Sequence, residues 1–197
     1  ATRLLEAVTA DRTGDRAEET DIHILHARMA IDNDQRKQAE RYIAMIEPVR
    51  RDQQIDYFEL KADLDFLYGR YIHSVDRRTQ LEKYYTDADK IRQNRLRIWA
   101  ALTAMPTDSL DPSTASRPEI AGWMDLARVM RQNQHDTDRL ENSLLDWGTR
   151  HPQHPANDNF LGALLDIYQQ RKGEQDQIAI ILPLKGNLET VAATIRN

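Results

Sequence analysis

Six histidines and no cysteine set the first limit on the chemistry this 197-residue chain can carry. His23 and His26 lie three apart, so on a helix they share a face and could in principle hold a metal ion. No carboxylate or third histidine stands nearby to complete the shell, so no metal is expected there. His151 and His154 sit in the proline-containing string RHPQHPA, which reads as a helix terminator between two elements. Asp63 and Asp65 are two apart; on a helix they point to different faces and cannot act as a paired acid and base. The chain contains no G-x-S-x-G elbow, phosphate-binding glycine loop or H-E-x-x-H motif. These residues therefore predict no catalytic side chain, no cofactor, no metal and a non-enzymatic role. The absence of cysteine excludes disulfides and thiolate metal sites.

The arginines raise a second possibility. Arg50 with Arg51, Arg77 with Arg78, and Arg92, Arg95 and Arg97 form clusters that could touch an anionic partner, but a solvated helix face balanced by nearby Asp and Glu is the favoured reading. Twenty-seven Lys plus Arg against 32 Asp plus Glu leave a net charge of -5, which argues against nucleic acid. Tyr57, Tyr68, Trp99 and Trp123 are assigned to the core; an exposed member on an inner curve would mark a peptide groove. No run of 18 apolar residues occurs, so no transmembrane helix is expected, and Ala1 begins without a charged-then-apolar leader.

The elements that would position these residues are helical for most of the chain. With 40% apolar residues and only seven Gly and seven Pro, an all-β fold would lack turn residues. A short helix is predicted over Thr2 to Val8, closed by TADRTGD, and a second opens at a capping box of Asp15 and Glu18 with Ile22, Leu25 and Met29 on its apolar side. Asp32 to Asp34 turns the chain into a helix from Gln35 to Ile46, stopped before Pro48. Ile55 to Val75 reads as one helix striped by Leu60, Leu64, Leu67, Tyr71 and Val75, with Thr79 to Tyr85 a short helical piece and Asp89 to Met105 a good helix. Pro106 to Pro118 is a breaker-rich loop. Ser116 and Glu119 suggest a capping box for a helix through Trp123 and Met130, and Asn133 to Thr137 turns it into a helix carrying Leu140, Leu144 and Trp147, which ends near Gly148 and Pro152. A last helix carries Leu161, Leu164, Leu165 and Tyr168. The apolar run Ile178 to Leu182, followed by Pro183, Gly186 and a helical pattern from Leu188, reads as the first strand, loop and helix of an α/β domain whose remaining strands lie beyond Asn197.

Two hairpins, Asp15 to Pro48 and Ser116 to Pro152, share a plan of helix, polar turn, helix and proline over about 34 to 37 residues, close to the tetratricopeptide period. HARMAIDNDQRKQAERYIAMIEP fits that repeat, with Ala39 where a small residue lets helices approach. GWMDLARVM, LLDWGTRHPQHPA and IAIILPLKG resemble the LpoA (YraM or LppC-like) family of outer-membrane lipoproteins, activators of class A penicillin-binding proteins. The resemblance implies a tetratricopeptide-like first half and a periplasmic-binding-protein-like second half. It also implies an outer-membrane lipid anchor, absent here with its cysteine, and a synthase contact made mainly by the second half. Peptide carboxylates of the glycan strand are one anionic partner that the arginine clusters could touch.

The expected architecture is thus all-α: a tetratricopeptide-like helical domain over 1–172, a linker over 173–176 and the opening of a periplasmic-binding-protein-like α/β domain over 177–197. The expected role is a spacer and protein-interaction scaffold in peptidoglycan synthesis, in the periplasm, without catalysis. A generic peptide-binding scaffold and the first module of a small-molecule receptor are the alternatives.

Overall fold

The computed structural model describes residues 2–133, 136–157 and 160–166, with side chains from Asp15 onward except at positions 137 and 138. Among these residues, helices run in order: α1 Thr2–Asp32, α2 Arg36–Met45, α3 Arg51–Leu67, α4 Tyr71–Leu81, α5 Ala88–Ala104, α6 Pro118–Gln132 and α7 Thr137–Arg150. Residues 160–166 are also helical. Among the described residues there is no strand, and no helix is long and apolar enough to cross a membrane. The strand, loop and helix expected over 177–197, and the linker before them, lie outside the described residues. The chain divides into two compact units, 1–160 and 161–197.

Each helix of the first unit packs on its neighbours in sequence. α1 lies on α2 and α3, α3 on α4, α4 on α5, α5 on α6 and α6 on α7. Tight left-handed turns set this order. Asp34 has φ 53° and Gly69 has φ 71°. At the first turn the Gln35 N–H donates back to the Ala30 carbonyl at 2.8 Å; at the second the Arg70 N–H donates to Asp65 at 2.8 Å. Both are the six-to-one closures that satisfy the last carbonyls of a helix and reverse the chain. The two turns stand 35 residues apart and close the α1–α2 and α3–α4 hairpins.

The second of these turns divides what the sequence suggests is one helix from Ile55 to Val75 into α3 and α4. The apolar stripe runs on across Gly69 because both arms bury it: Leu60, Leu64 and Val75 are all buried. Conversely, α1 is one helix where two were expected, and Asp15 and Glu18 lie in its interior instead of capping it. Gly14 is the only breaker in TADRTGD, and a single glycine costs about 1 kcal/mol, which packing of the following turns on α2 and α3 offsets.

The buried face of α1 is also the opposite of the one expected. Ala17, Thr20, Ile24, Ala27 and Ala30 point inward, while Ile22, Leu25 and Met29 are more than half exposed. Small residues win this face because α2 must come close, with Ala39 fully buried beside them as its place in the repeat implied. Further along, α6 starts at Pro118 with Arg117 before it and no side-chain cap from Ser116. Proline at the first helical position supplies the helical φ and leaves out one of the N–H groups that a helix start cannot pair within itself.

Candidate functional site

Polar and aromatic side chains assemble where α6, α7 and the loop after α7 meet. Gly122 and Trp123 on α6 face Trp147 on α7, and the Trp147 indole N–H donates to the Gly122 carbonyl at 3.1 Å. His154 fits between the two indoles, its ring 5.1 Å from each, and Phe160 stacks edge-on against Trp123. Gly122 has no side chain for a geometric reason: a Cβ there would lie 2.5 Å from the His154 ring. Both His154 nitrogens are used. Nε2 lies 2.9 Å from the Glu119 carbonyl and Nδ1 accepts from the Ala156 N–H at 3.1 Å. Only the neutral Nε2–H imidazole satisfies both. Burial pushes its pKa down in the same direction, against the weaker opposing pull of the Glu119 bond.

Beside this seam Asp125, almost fully buried, accepts from Arg128 at 2.7 Å, from Arg150, and lies 3.1 Å from His151 Nε2. Burial alone would raise its pKa, but bonds from His151, Arg128 and Arg150 outweigh it and hold the carboxyl below the usual range. The pair His151 and His154, expected as a plain terminator, therefore locks α6 to α7. That role was not visible from spacing, because it depends on Gly122, Trp123 and Asp125 some 26 to 32 residues away. No part of the seam leaves a nucleophile beside a base.

The arginine clusters do similar work in the first half. Arg78, 2% exposed, reaches Asp63 on α3 and the Asn94 side-chain oxygen on α5, and Arg97 donates to both Asp63 oxygens at 2.8 and 3.0 Å. Arg70 and Arg77 hold the other carboxylate, Asp65, each at 2.7 Å. Asp63 and Asp65 thus face different partners, as their spacing predicted. Arg95 bonds Glu82, Arg117 ties Asp76 of α4 to Glu119 of α6, and Arg131 donates to three carbonyls at the end of α5. Arg50 pairs with Asp21 and Asp52 on the surface, while buried Gln53 donates to Ala17 and Asp21 and accepts from Val49 and Arg50. Arg50, Arg51, Arg92 and Arg97 are exposed, as the solvated-face reading suggests, while Arg77, Arg78, Arg95 and Arg97 brace one element against another. Their signal was the carboxylate on the adjoining helix, which spacing along one helix cannot reveal.

The remaining expected residues occupy ordinary places. His26 packs on Tyr42 with ring centroids 5.0 Å apart. Among the described residues no three histidine or carboxylate side chains converge as a metal site. Trp123 is fully buried; Tyr57 and Tyr68 are partly buried against the first core, and Trp99 is half-buried with its ring 6.4 Å from Phe160.

The whole chain, residues 1–197, matches the LppC lipoprotein family. The chain belongs to the LppC family. Among curated relatives, the penicillin-binding protein activator LpoA of Klebsiella pneumoniae subsp. pneumoniae is 28% identical over 161 residues, 80% of this chain and 23% of that protein. LpoA of Yersinia pseudotuberculosis is 32% identical over 111 residues, 55% of this chain and 17% of that protein. The chain thus spans about a quarter or less of these relatives. Among solved structures, the LpoA N-terminal domain from Haemophilus influenzae superposes with a TM-score of 0.67 at 21% identity, covering 75% of this chain and 68% of that one. Full-length LpoA from the same organism gives 0.62 at 20% identity, over 72% of this chain and 27% of that one. At these identities the likeness shows the fold: the all-α stack is that of the LpoA N-terminal domain. These curated relatives are named as penicillin-binding protein activators, not as enzymes.

Proposed function

We propose that this chain is the helical spacer and interaction module of a lipoprotein that activates a class A penicillin-binding protein, and that it regulates peptidoglycan synthesis without catalysis. The observation carrying this reading is the match of all 197 residues to the LppC family, joined to relatives named as penicillin-binding protein activators. The braced helix stack supports a mechanical role: its polar groups are spent on each other across helix interfaces, and those around Asp125 and His154 are closed off by aromatic rings. In this reading the helical domain covers 1–172, a linker 173–176, and 177–197 opens a periplasmic-binding-protein-like domain that makes the main synthase contact. The longer protein is periplasmic, tethered to the outer membrane by a lipid, and its helical part adds a contact with peptidoglycan.

Binding to an immobilised, purified class A penicillin-binding protein tests this. The longer protein carrying the chain is expected to bind saturably, and residues 1–172 alone to bind at least about tenfold more weakly, roughly 1.4 kcal/mol. Equal binding by 1–172 would move the contact into the helical domain. No binding by the longer protein would defeat the reading.

A further inference from the structure

α5 turns Lys90, Gln93, Asn94 and Arg97, spaced i, i+3, i+4 and i+7, toward a cavity of about 170 Å³. The facing wall is Arg28 of α1 with Asp56 and Glu59 of α3, and Arg78 of α4 lines it from within. Most of these groups already have partners. Arg28 donates to Asp56 at 2.9 Å, Glu59 accepts from the Tyr85 hydroxyl at 2.5 Å, and Asp63 holds Arg78 and Arg97. Asn94 donates to the Arg78 carbonyl at 3.0 Å. What remains is the Lys90 ammonium and the Gln93 amide, neither of which has a side-chain partner among the described residues. Arg28, Arg78, Lys90 and Arg97 against Asp56, Glu59 and Asp63 leave one positive charge in excess.

We propose that this cavity binds a single carboxylate, such as the free end of a peptide, held by Lys90 Nζ and the Gln93 amide within the field of Arg28 and Arg97. The charge count sets the class of ligand. One excess positive charge matches a monoanion, whereas a phosphate dianion would bring a second negative charge up to Asp56 and Glu59, where like charges repel. Arg78 is buried among the lining residues while Lys90 and Gln93 are exposed, so the attraction for an anion should weaken as salt is added. An amide beside an ammonium offers a carboxylate two donors, the arrangement that makes charge-assisted hydrogen bonds strong. The proposal goes beyond the activator role and does not depend on it: it concerns this chain's own surface, and its test needs no synthase.

The test titrates the isotope-labelled 197-residue chain with N-acetyl-alanyl-alanine, with the same peptide as its C-terminal amide, with acetate and with inorganic phosphate, following nuclear magnetic resonance shifts. The free acid is expected to shift resonances from Ala88 to Arg97 and at Arg28, and the amide to shift none of them. Acetate run alongside separates a peptide end from a free small acid; either supports the site, and the tighter of the two names the source. Lys90→Ala is exposed and keeps the fold, and it should weaken binding roughly tenfold, while Lys90→Arg should retain it. Equal binding of acid and amide, tighter binding of phosphate, unchanged affinity in Lys90→Ala, or no shift at all would each overturn the proposal.

Discussion

A buried imidazole bonded at both nitrogens can hold only one protonation state without losing a partner, and His154 is in that position. Protonating it puts a second N–H against the Ala156 N–H, in a space already closed by Trp123 and Trp147. Its folded pKa therefore lies below the unfolded value of about 6.5. Below that pH the unfolded chain takes up a proton that the folded chain refuses, so stability is full above about pH 6.5 and falls as acid is added. Melting temperatures at pH 7.5 and 5.5 check this: the midpoint should drop on acidification, since each tenfold gap between folded and unfolded proton affinities is worth about 1.4 kcal/mol. His154→Gln does not titrate, so it should melt lower at pH 7.5 yet lose much of the dependence. Identical midpoints for the parent chain at the two pH values would contradict the account. None of this could be read from RHPQHPA, where prolines announce a loop but nothing announces that the loop folds back under two tryptophans.

At the scale of elements, this stack is held by thin interfaces reinforced with ion pairs. Alanines bring α1 and α2 together, and arginines then link one helix to a later one: Arg78 and Arg97 onto Asp63, Arg117 onto Asp76, Arg150 onto Asp125. Burial decides which of these matter. Burial pulls the Arg78 pKa down while Asp63 pulls it up, and removing one partner of a buried pair costs about 3 to 5 kcal/mol. Arg78→Ala, which empties a filled interface and leaves Asp63 to Arg97 alone, should lose about 3 kcal/mol in urea unfolding. Arg92→Ala, whose pair with Asp89 is exposed on both sides, should stay within about 0.5 kcal/mol. Equal losses would show that the buried brace is not special.

The same elements show how far sequence reasoning reached. Helices α2, α5, α6 and α7 were legible to within a few residues, because prolines and polar turns punctuate them; the caps that Asp87 and Asp136 give α5 and α7 were not singled out. The division between α3 and α4 was not, since a stripe of period near 3.6 continues through a reversal when both arms bury it. Gly69 was the available signal. The apolar face of α1 was misread because its buried residues are mostly alanine, which a search for large side chains passes over. In the candidate site, the separation of Asp63 from Asp65 was legible from helical geometry, while the partners of the arginines belong to other helices and appear only with the fold.

Within the first unit each helix packs on its neighbours in sequence, so the described helices form one continuous stack. Nothing in its described interior converges as acid, base and nucleophile, and its charged groups are mostly absorbed in holding helices together. Function on this reading lies in what the module carries and what it is carried by. The most direct measurement is the rate of glycan polymerisation and cross-linking by a purified class A penicillin-binding protein, with and without the longer protein that contains this chain. A rise in rate with the longer protein, and none with residues 1–172 alone, is the predicted result; rates unchanged by the longer protein would contradict the account.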